Sequence, residues 1–192
     1  MDNPTFPFAL NGLMNLKKPE GMTSMQVVRR LKRASQQKKV GHGGTLDPIA
    51  SGVLIICFGQ ATRVMDDIIN GPKSYRTTIK LGVSTDTYDA DGTVISEKEI
   101  PKMSCARLEK TLTKFVGSIE QIPPMYSALK KNGTRLYELA RRGIEVQREP
   151  RLVNVQSIRI VGWDNPYLTI DIDCGRGFYV RSLAHDIGES LI

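Results

Sequence analysis

The residue best suited to chemistry is an aspartate in a glycine-rich segment. Asp47 lies in residues 40–48, which hold three glycines, with His42 five residues before it and Pro48 directly after. Glycines let the backbone approach a ligand closely, and a proline fixes the chain just beyond the carboxylate. A tight structural turn in which Asp47 caps the next segment explains the same residues, and composition alone slightly favours that turn. The segment is neither a phosphate-binding P-loop, since no lysine follows Gly44, nor a dinucleotide fingerprint, since the third glycine spacing is absent.

An arginine in an apolar stretch is the second candidate. Arg181 lies between Val180 and Leu183 near the start of a predicted helix. An arginine in such surroundings usually needs a buried acceptor. A carboxylate from elsewhere in the chain would serve, and Asp47 is one candidate.

Other isolated residues carry weaker signals. His185 follows on the same helix and is typical of a satisfied structural histidine. Cys174 is expected as a small core residue, because no histidine is near it in sequence to activate the thiol. Tyr75 and Tyr179, at the starts of predicted elements, are usual positions for core aromatics.

An acidic loop at residues 86–92 raises the question of calcium. Aligning Asp89 and Asp91 with an EF-hand loop places Thr87 at the first ligand position and Lys98 at the twelfth. Lysine cannot ligate calcium, so a solvated turn is the favoured interpretation.

Composition excludes several classes of protein. The chain has 192 residues, and 27 Lys and Arg against 20 Asp and Glu give a net charge of +7. No apolar run approaches the roughly 20 residues of a membrane span, and we expect no signal peptide and no membrane association. Three widely spaced cysteines indicate a reducing, cytoplasmic location. The sequence lacks the closely spaced Cys and His pairs of a structural zinc site, so we expect no metal site.

Helix and strand patterns are mixed along the chain. The predicted helices begin at a capping box at 23–26, cover 61–69, begin at 104, cover 136–140 and begin at Tyr179. The predicted strands are 53–58, 75–81, near 152–160 and 168–174. A turn at Asn132-Gly133 joins either two strands or a strand and a helix. Because the elements lack a regular βαβ rhythm, we predict an α+β fold in one domain.

The positive charge is clustered in two stretches. Residues 17–39 hold eight basic residues and one acid, and a second basic group lies within residues 130–151. Such patches attract phosphodiester backbones by releasing counterions, although most charge runs are simply solvated helix faces. The two clusters and the net charge together favour a nucleic-acid partner.

Four segments resemble the motifs of TruB-type tRNA pseudouridine synthases. They are GHGGTLDPIASGVL at 41–54 with GQATR at 59–63, KSY at 73–75 through Leu81-Gly82 with TDT at 85–87 and Asp89, QIPPMYSALK at 121–130 with RLYELAR at 135–141, and CGRGFYVRSL at 174–183. The resemblance spans nearly the whole chain from Leu16 onward. It implies the pseudouridine-synthase fold, with a mixed, largely antiparallel central sheet flanked by helices.

The resemblance also implies an activity and its residues. The expected reaction isomerises uridine 55 in the T loop of tRNA to pseudouridine without a cofactor or metal. Asp47 would be the catalytic carboxylate, Tyr75 would stack on the uracil, and Arg181 would pair with Asp47. His42 would brace the space that the flipped base leaves, and Tyr179 would line the pocket. The residues expected to hold the RNA backbone are Lys17, Lys18, Arg29, Arg30, Arg33, Lys130, Arg141 and Arg142.

The family resemblance also frames the alternatives. Members of the family continue past the arginine motif, so we expect residues 1–192 to be a catalytic domain that lacks its C-terminal end and any C-terminal RNA-binding domain. We expect a monomer with no obligate protein partner. An RNA-binding or tRNA-folding module without turnover is the rival hypothesis. A guide-RNA-dependent subunit is disfavoured, because the chain lacks extra protein-docking segments.

Overall fold

The computed structural model describes residues 9–192. Backbone packing divides the chain into two compact units, one ending at Gly71 and the other spanning Pro72–Ile192, and we describe each by itself. Within the described residues, no helix is both long enough and apolar enough to cross a membrane. The single catalytic domain expected over residues 1–192 stays a prediction.

Unit 1 is built on a small antiparallel sheet. Its elements are β1 (Gly12–Lys18), α1 (Ser24–Ser35), β2 (Val40–His42), β3 (Gly52–Phe58) and α2 (Met65–Asn70). The strand order is β1-β3-β2, so the apolar strand predicted at 53–58 is the central one. Its side chains Leu54, Ile56 and Phe58 form a core with Val27 and Val28 of α1.

The capping box of α1 is confirmed. The hydroxyl of Thr23 accepts from the Gln26 backbone N–H at 3.1 Å, and the Gln26 side chain accepts from the Thr23 N–H at 2.7 Å. These reciprocal bonds satisfy two donors that a helix start otherwise leaves open.

The helix predicted over 61–69 is correct only in its second half. Gly59–Val64 form a 3-10 segment, and the α-helix covers Met65–Asn70. Gly59 has a φ of +56°, and the Thr62 hydroxyl donates to its carbonyl at 2.8 Å, so a side chain satisfies a group that an α-helical N–H would otherwise bind.

Unit 2 contains a larger antiparallel sheet and two hairpins. Its elements are β4 (Lys73–Lys80), β5 (Val83–Thr85), β6 (Val94–Glu97), α3 (Cys105–Leu112), β7 (Gly117–Gln121), β8 (Lys130–Lys131), β9 (Thr134–Arg135), α4 (Leu136–Ala140), β10 (Arg151–Asp164), β11 (Tyr167–Cys174) and α5 (Val180–Leu191). The large sheet has the order β4-β11-β10-β7, and β5 pairs with β6 and β8 with β9. The turn at Asn132-Gly133 therefore joins two short strands.

The core of unit 2 lies on one face of its large sheet. Along β11, Leu168, Ile170 and Ile172 are buried, and they pack with Leu183 and Ile187 of α5. The intervening residues face away, as strand geometry requires. Mixed helices and antiparallel sheets confirm the α+β prediction.

Candidate active site

Hydrogen bonds hold the main chain on both sides of Asp47. The Ser24 hydroxyl, at the start of α1, donates to the Leu46 carbonyl at 3.1 Å and accepts from the Leu46 N–H at 3.0 Å. The Ala50 N–H donates to the Asp47 carbonyl at 3.1 Å, which closes a turn. The partly exposed Asp47 side chain thus projects from a segment whose main chain is held on both sides.

A buried lysine supports the same segment from the end of β1. Lys18 has no exposed surface, and its ammonium donates to the carbonyls of Pro19 at 2.8 Å, Met22 at 2.7 Å and Pro48 at 3.4 Å. The Gly21 N–H also donates to the Pro48 carbonyl, at 2.9 Å. Two donors from the β1–α1 connection therefore hold the residue that follows Asp47.

The predicted contact of Lys18 with the RNA backbone is wrong. Burial lowers the pKa of Lys18, while the negative charges of Asp47 and Glu20 act in the opposite direction. An ammonium that is buried and hydrogen-bonded to three carbonyls cannot reach a phosphate. Its neighbour Lys17 is exposed and remains a candidate for that contact.

The glycines before Asp47 serve the packing of the protein itself. A Cβ on Gly41 would lie 2.5 Å from the Met65 sulfur, and one on Gly43 would lie 2.4 Å from Ile68 Cγ2. Both neighbours belong to α2. The close approach predicted for a ligand is made at these two positions by a helix of unit 1.

His42 ends β2, where it pairs with Ile56 of β3. Its Nδ1 is bonded to the Gly44 carbonyl, and the ring is partly exposed. The imidazole is therefore oriented by the same glycine-rich segment that carries Asp47.

Arg181 lies in the first turn of α5 and is only 11% exposed. Its terminal nitrogens donate to the carbonyls of Thr87 at 3.1 Å and Tyr126 at 2.9 Å. Its Nε lies 3.6 Å from a carboxylate oxygen of Asp89. The expected buried acceptors are confirmed, and Asp89 supplies a carboxylate, whereas the pairing with Asp47 stays a prediction.

Asp89 is a residue that the sequence analysis did not select. Its Oδ1 accepts from the Thr87 hydroxyl at 2.6 Å and from the Asp91 N–H at 3.1 Å, while its Oδ2 faces Arg181. At 14% exposure it does not belong to a solvated turn, so that interpretation is wrong at this position. The usable signal was that a buried arginine needs a carboxylate and that this loop is rich in them.

The start of α5 is held by a second missed residue. Gln121 is 2% exposed, and its side-chain amide accepts from the Tyr179 N–H at 2.8 Å and donates to the Tyr179 carbonyl at 3.1 Å. Tyr179 is the N-cap residue of the helix that carries Arg181. Tyr75 lies on β4, opposite Ile172, and packs against the core of unit 2.

The remaining candidates for RNA contact are exposed. They are Lys17, Arg29, Arg30 and Arg33 in unit 1 and Lys130, Arg141 and Arg142 in unit 2. The Arg141 guanidinium lies 5.4 Å from the centre of the Tyr137 ring, a distance at which a cation and an aromatic ring attract. No group of three or more metal-ligating side chains is found among residues 9–192.

The fold is similar to that of chains in two solved complexes. A crystal structure of a Cbf5–Nop10–Gar1 complex matches with a TM-score of 0.71 and 27% identity, over 99% of this chain and 51% of that one. A structure of an H/ACA ribonucleoprotein bound to a substrate RNA containing 2′-deoxyuridine matches with a TM-score of 0.67 and 26% identity, over 94% of this chain and 43% of that one.

The sequence comparisons identify the family. Residues 32–180 match the model of the TruB family pseudouridylate synthase N-terminal domain, and the chain therefore belongs to this family. A tRNA pseudouridine synthase B from Clostridium perfringens (strain 13 / Type A) is 49% identical over 95% of this chain and 62% of its own length. One from Clostridium tetani is 48% identical over 95% of this chain and 63% of its own length. The chain thus spans less than two thirds of these relatives.

Proposed function

We propose that this chain carries the active-site part of a tRNA pseudouridine synthase that isomerises uridine 55 in the T loop. Membership of the TruB family and the names of the relatives support the class of reaction. The observation that carries the proposal is the segment around Asp47, whose main chain is fixed by Ser24 and by the buried Lys18.

The proposed reaction moves a uracil without any net gain or loss of atoms. The bond between C1′ of the ribose and N1 of the base breaks, the base turns, and C1′ bonds to C5. The C5 proton is then lost, and N1 gains one. Asp47 assists the cleavage or attacks the sugar or the base, and these routes stay open.

The other residues have supporting roles in the proposal. Tyr75 stacks on the uracil and helps to remove the C5 proton, and Tyr179 lines the pocket. Arg181 pairs with Asp47 and orients its carboxylate. His42 fills or braces the space that opens when the base leaves its stack. The exposed basic residues hold the phosphates around the T loop, and this recognition depends mainly on RNA shape.

An RNA-binding module without turnover is the second candidate. It is favoured by the exposed basic residues of the two units, which attract phosphates whether or not a reaction follows. A protein partner also stays open, because one of the similar solved structures is a Cbf5–Nop10–Gar1 complex. The cytoplasm, where tRNA is modified, is part of the same proposal.

The test is a pseudouridine assay on an unmodified tRNA transcript, run with this chain and its Asp47→Asn variant. We expect turnover in the parent, a loss of at least about 1,000-fold in the variant, and nearly unchanged tRNA binding. Binding by both proteins should weaken steeply between low and physiological salt, because phosphate contacts release counterions. Equal turnover by the two proteins would overturn the role of Asp47. Binding without turnover by the parent would favour the module.

A further inference from the structure

Two aromatic rings that the proposed mechanism does not use are stacked in unit 2. The rings of Tyr88 and His185 lie parallel within 6°, with their centres 4.1 Å apart. Tyr88 belongs to the acidic loop at 86–92, and His185 belongs to α5. The stack is therefore a direct attachment of this loop to the helix.

The attachment lies at the point where the loop meets Arg181. His185 is four residues after Arg181, so both side chains lie on the same face of α5, one turn apart. Tyr88 lies between Thr87 and Asp89, the two loop residues that contact the guanidinium. Thr87 and Asp89 thus contact the guanidinium, and Tyr88 between them stacks on His185.

Other hydrogen bonds shape the loop without attaching it to α5. Asp86 accepts from the Thr93 N–H at 2.8 Å, and the Thr85 hydroxyl donates to the Asp89 carbonyl at 2.7 Å. The exposed ion pair between Lys98 and Glu189 is long, at 3.9 Å, and such pairs contribute little.

The backbone of Tyr88 needs external support. Its φ is +63°, in the left-handed region that an aromatic residue rarely adopts. Such a conformation persists when surrounding contacts impose it. The ring of His185 supplies one such contact, next to Thr87 and Asp89 in the chain.

We propose that the Tyr88–His185 stack is a positioning pair, which holds Thr87 and Asp89 against the guanidinium and so fixes the orientation of Arg181. The proposal rests on the proposed function only for its effect on catalysis. The claim that the stack orients Arg181 does not depend on the reaction. Neither ring touches the reacting base in this scheme.

The test removes the ring while keeping the backbone. Asparagine is among the non-glycine residues that best tolerate a left-handed conformation, so Tyr88→Asn loses the stack with little added strain. Tyr88→Phe and His185→Phe keep two facing rings and are the matched controls, and His185→Ala removes the other ring. The readouts are hydrogen exchange of the Arg181 guanidinium protons and of amides 87–91 by NMR, the single-turnover rate on a tRNA transcript, and the Kd for that transcript.

For Tyr88→Asn and His185→Ala we expect guanidinium and loop exchange at least about tenfold faster than in the parent. Turnover should slow about tenfold, because a misoriented group loses its positioning effect, while the Kd stays within about twofold. The phenylalanine variants should remain close to the parent in all three measurements.

Hydrogen exchange at Arg181 and the loop tests the positioning proposal, and pseudouridine formation tests the proposed function. Unchanged exchange in Tyr88→Asn would overturn the proposal whatever the activity. It would also be overturned if exchange in Tyr88→Phe were as fast as in Tyr88→Asn, because the hydroxyl rather than the ring would then be responsible. Faster exchange in Tyr88→Asn beside a parent that never forms pseudouridine would support the stack and refute the proposed function.

Discussion

The candidate residues of the two units are held by different kinds of contact. In unit 1, Asp47 is positioned through the main chain of its two neighbours. Ser24 bonds to Leu46 and Lys18 to Pro48, and these bonds do not use the Asp47 carboxylate. In unit 2, Arg181 is positioned through its own side chain, whose nitrogens contact Thr87, Tyr126 and Asp89.

In unit 1 the hydrogen bonds that hold the segment are made by other groups than the candidate catalytic carboxylate, whereas in unit 2 the candidate side chain makes those bonds itself. The hydrogen bonds that Ser24 and Lys18 make to this segment do not use the Asp47 carboxylate, so Asp47→Asn keeps them, and it removes a negative charge that favours the Lys18 ammonium. Arg181 cannot be replaced without leaving carbonyls of two distant segments short of a donor. Loss of activity is therefore easier to interpret at Asp47 than at Arg181.

The largest effect is expected from removing the buried ammonium of unit 1. Lys18→Met removes three hydrogen bonds, and among the residues that the structure describes only the Pro48 carbonyl keeps another donor, the Gly21 N–H. At about 1 kcal/mol for each lost bond the protein should lose about 3 kcal/mol of unfolding free energy. Burial lowers the pKa of Lys18, so the ammonium carries a desolvation cost whose relief offsets part of this loss. Urea unfolding measures the net change.

The matched control for this variant is Lys17→Met, one residue earlier and exposed. Such a surface change usually stays within about 0.5 kcal/mol of the parent. If the two methionine variants were equally stable, the segment around Asp47 would not depend on the buried ammonium.

A smaller effect is expected from crowding the same segment. A Cβ at Gly43 would lie 2.4 Å from Ile68 Cγ2 and 3.0 Å from its Cβ, so Gly43→Ala should cost about 1–3 kcal/mol by overpacking. Ile68→Ala removes the closer atom, and the double variant should therefore lose less than the sum of the two single variants. A double-mutant cycle by thermal unfolding measures this coupling.

The control substitution lies inside α5. A Cβ on Gly188 meets nothing within 4 Å, so Gly188→Ala should stabilise the protein by about 0.5–1 kcal/mol through its helix propensity. Additive losses at Gly43 and Ile68 would mean that the backbone, rather than this contact, accommodates the added methyl group.

Sequence alone predicts the parts of this molecule that depend on neighbours along the chain. The capping box at Thr23, the apolar strand at 53–58 and the Asn132-Gly133 turn are local patterns, and each is confirmed. Asp47 and Arg181 were selected because a carboxylate among glycines and an arginine among apolar residues are conspicuous in sequence.

The residues that were missed act across long separations. The carbonyl of Pro48 is 30 positions from Lys18, the Tyr179 backbone is 58 positions from Gln121, and the Thr87 carbonyl is 94 positions from Arg181. Charge clustering placed Lys18 with Lys17 on the surface. A strand period of two would have placed Lys18 on the face of the partly buried Leu16 instead.

The smallest effect is expected from neutralising the carboxylate beside Arg181. In Asp89→Asn the side-chain oxygen can still accept from the Thr87 hydroxyl and the Asp91 N–H, so the loop keeps its internal bonds. What is lost is the charge 3.6 Å from the guanidinium Nε, and for this partly exposed pair we expect a loss of about 1 kcal/mol. Urea unfolding at low and high salt measures it.

Asp91→Asn is the control, because it removes the same charge from an exposed position of the same loop. A loss confined to Asp89→Asn would mean that the carboxylate stabilises the arginine directly. Equal stabilities in the two variants would mean that the carbonyls of Thr87 and Tyr126 hold Arg181 without help. The arginine would then depend on main-chain acceptors, as the segment around Asp47 depends on bonds to its main chain. The two units would differ only in whether the candidate residue or its partner supplies the side chain.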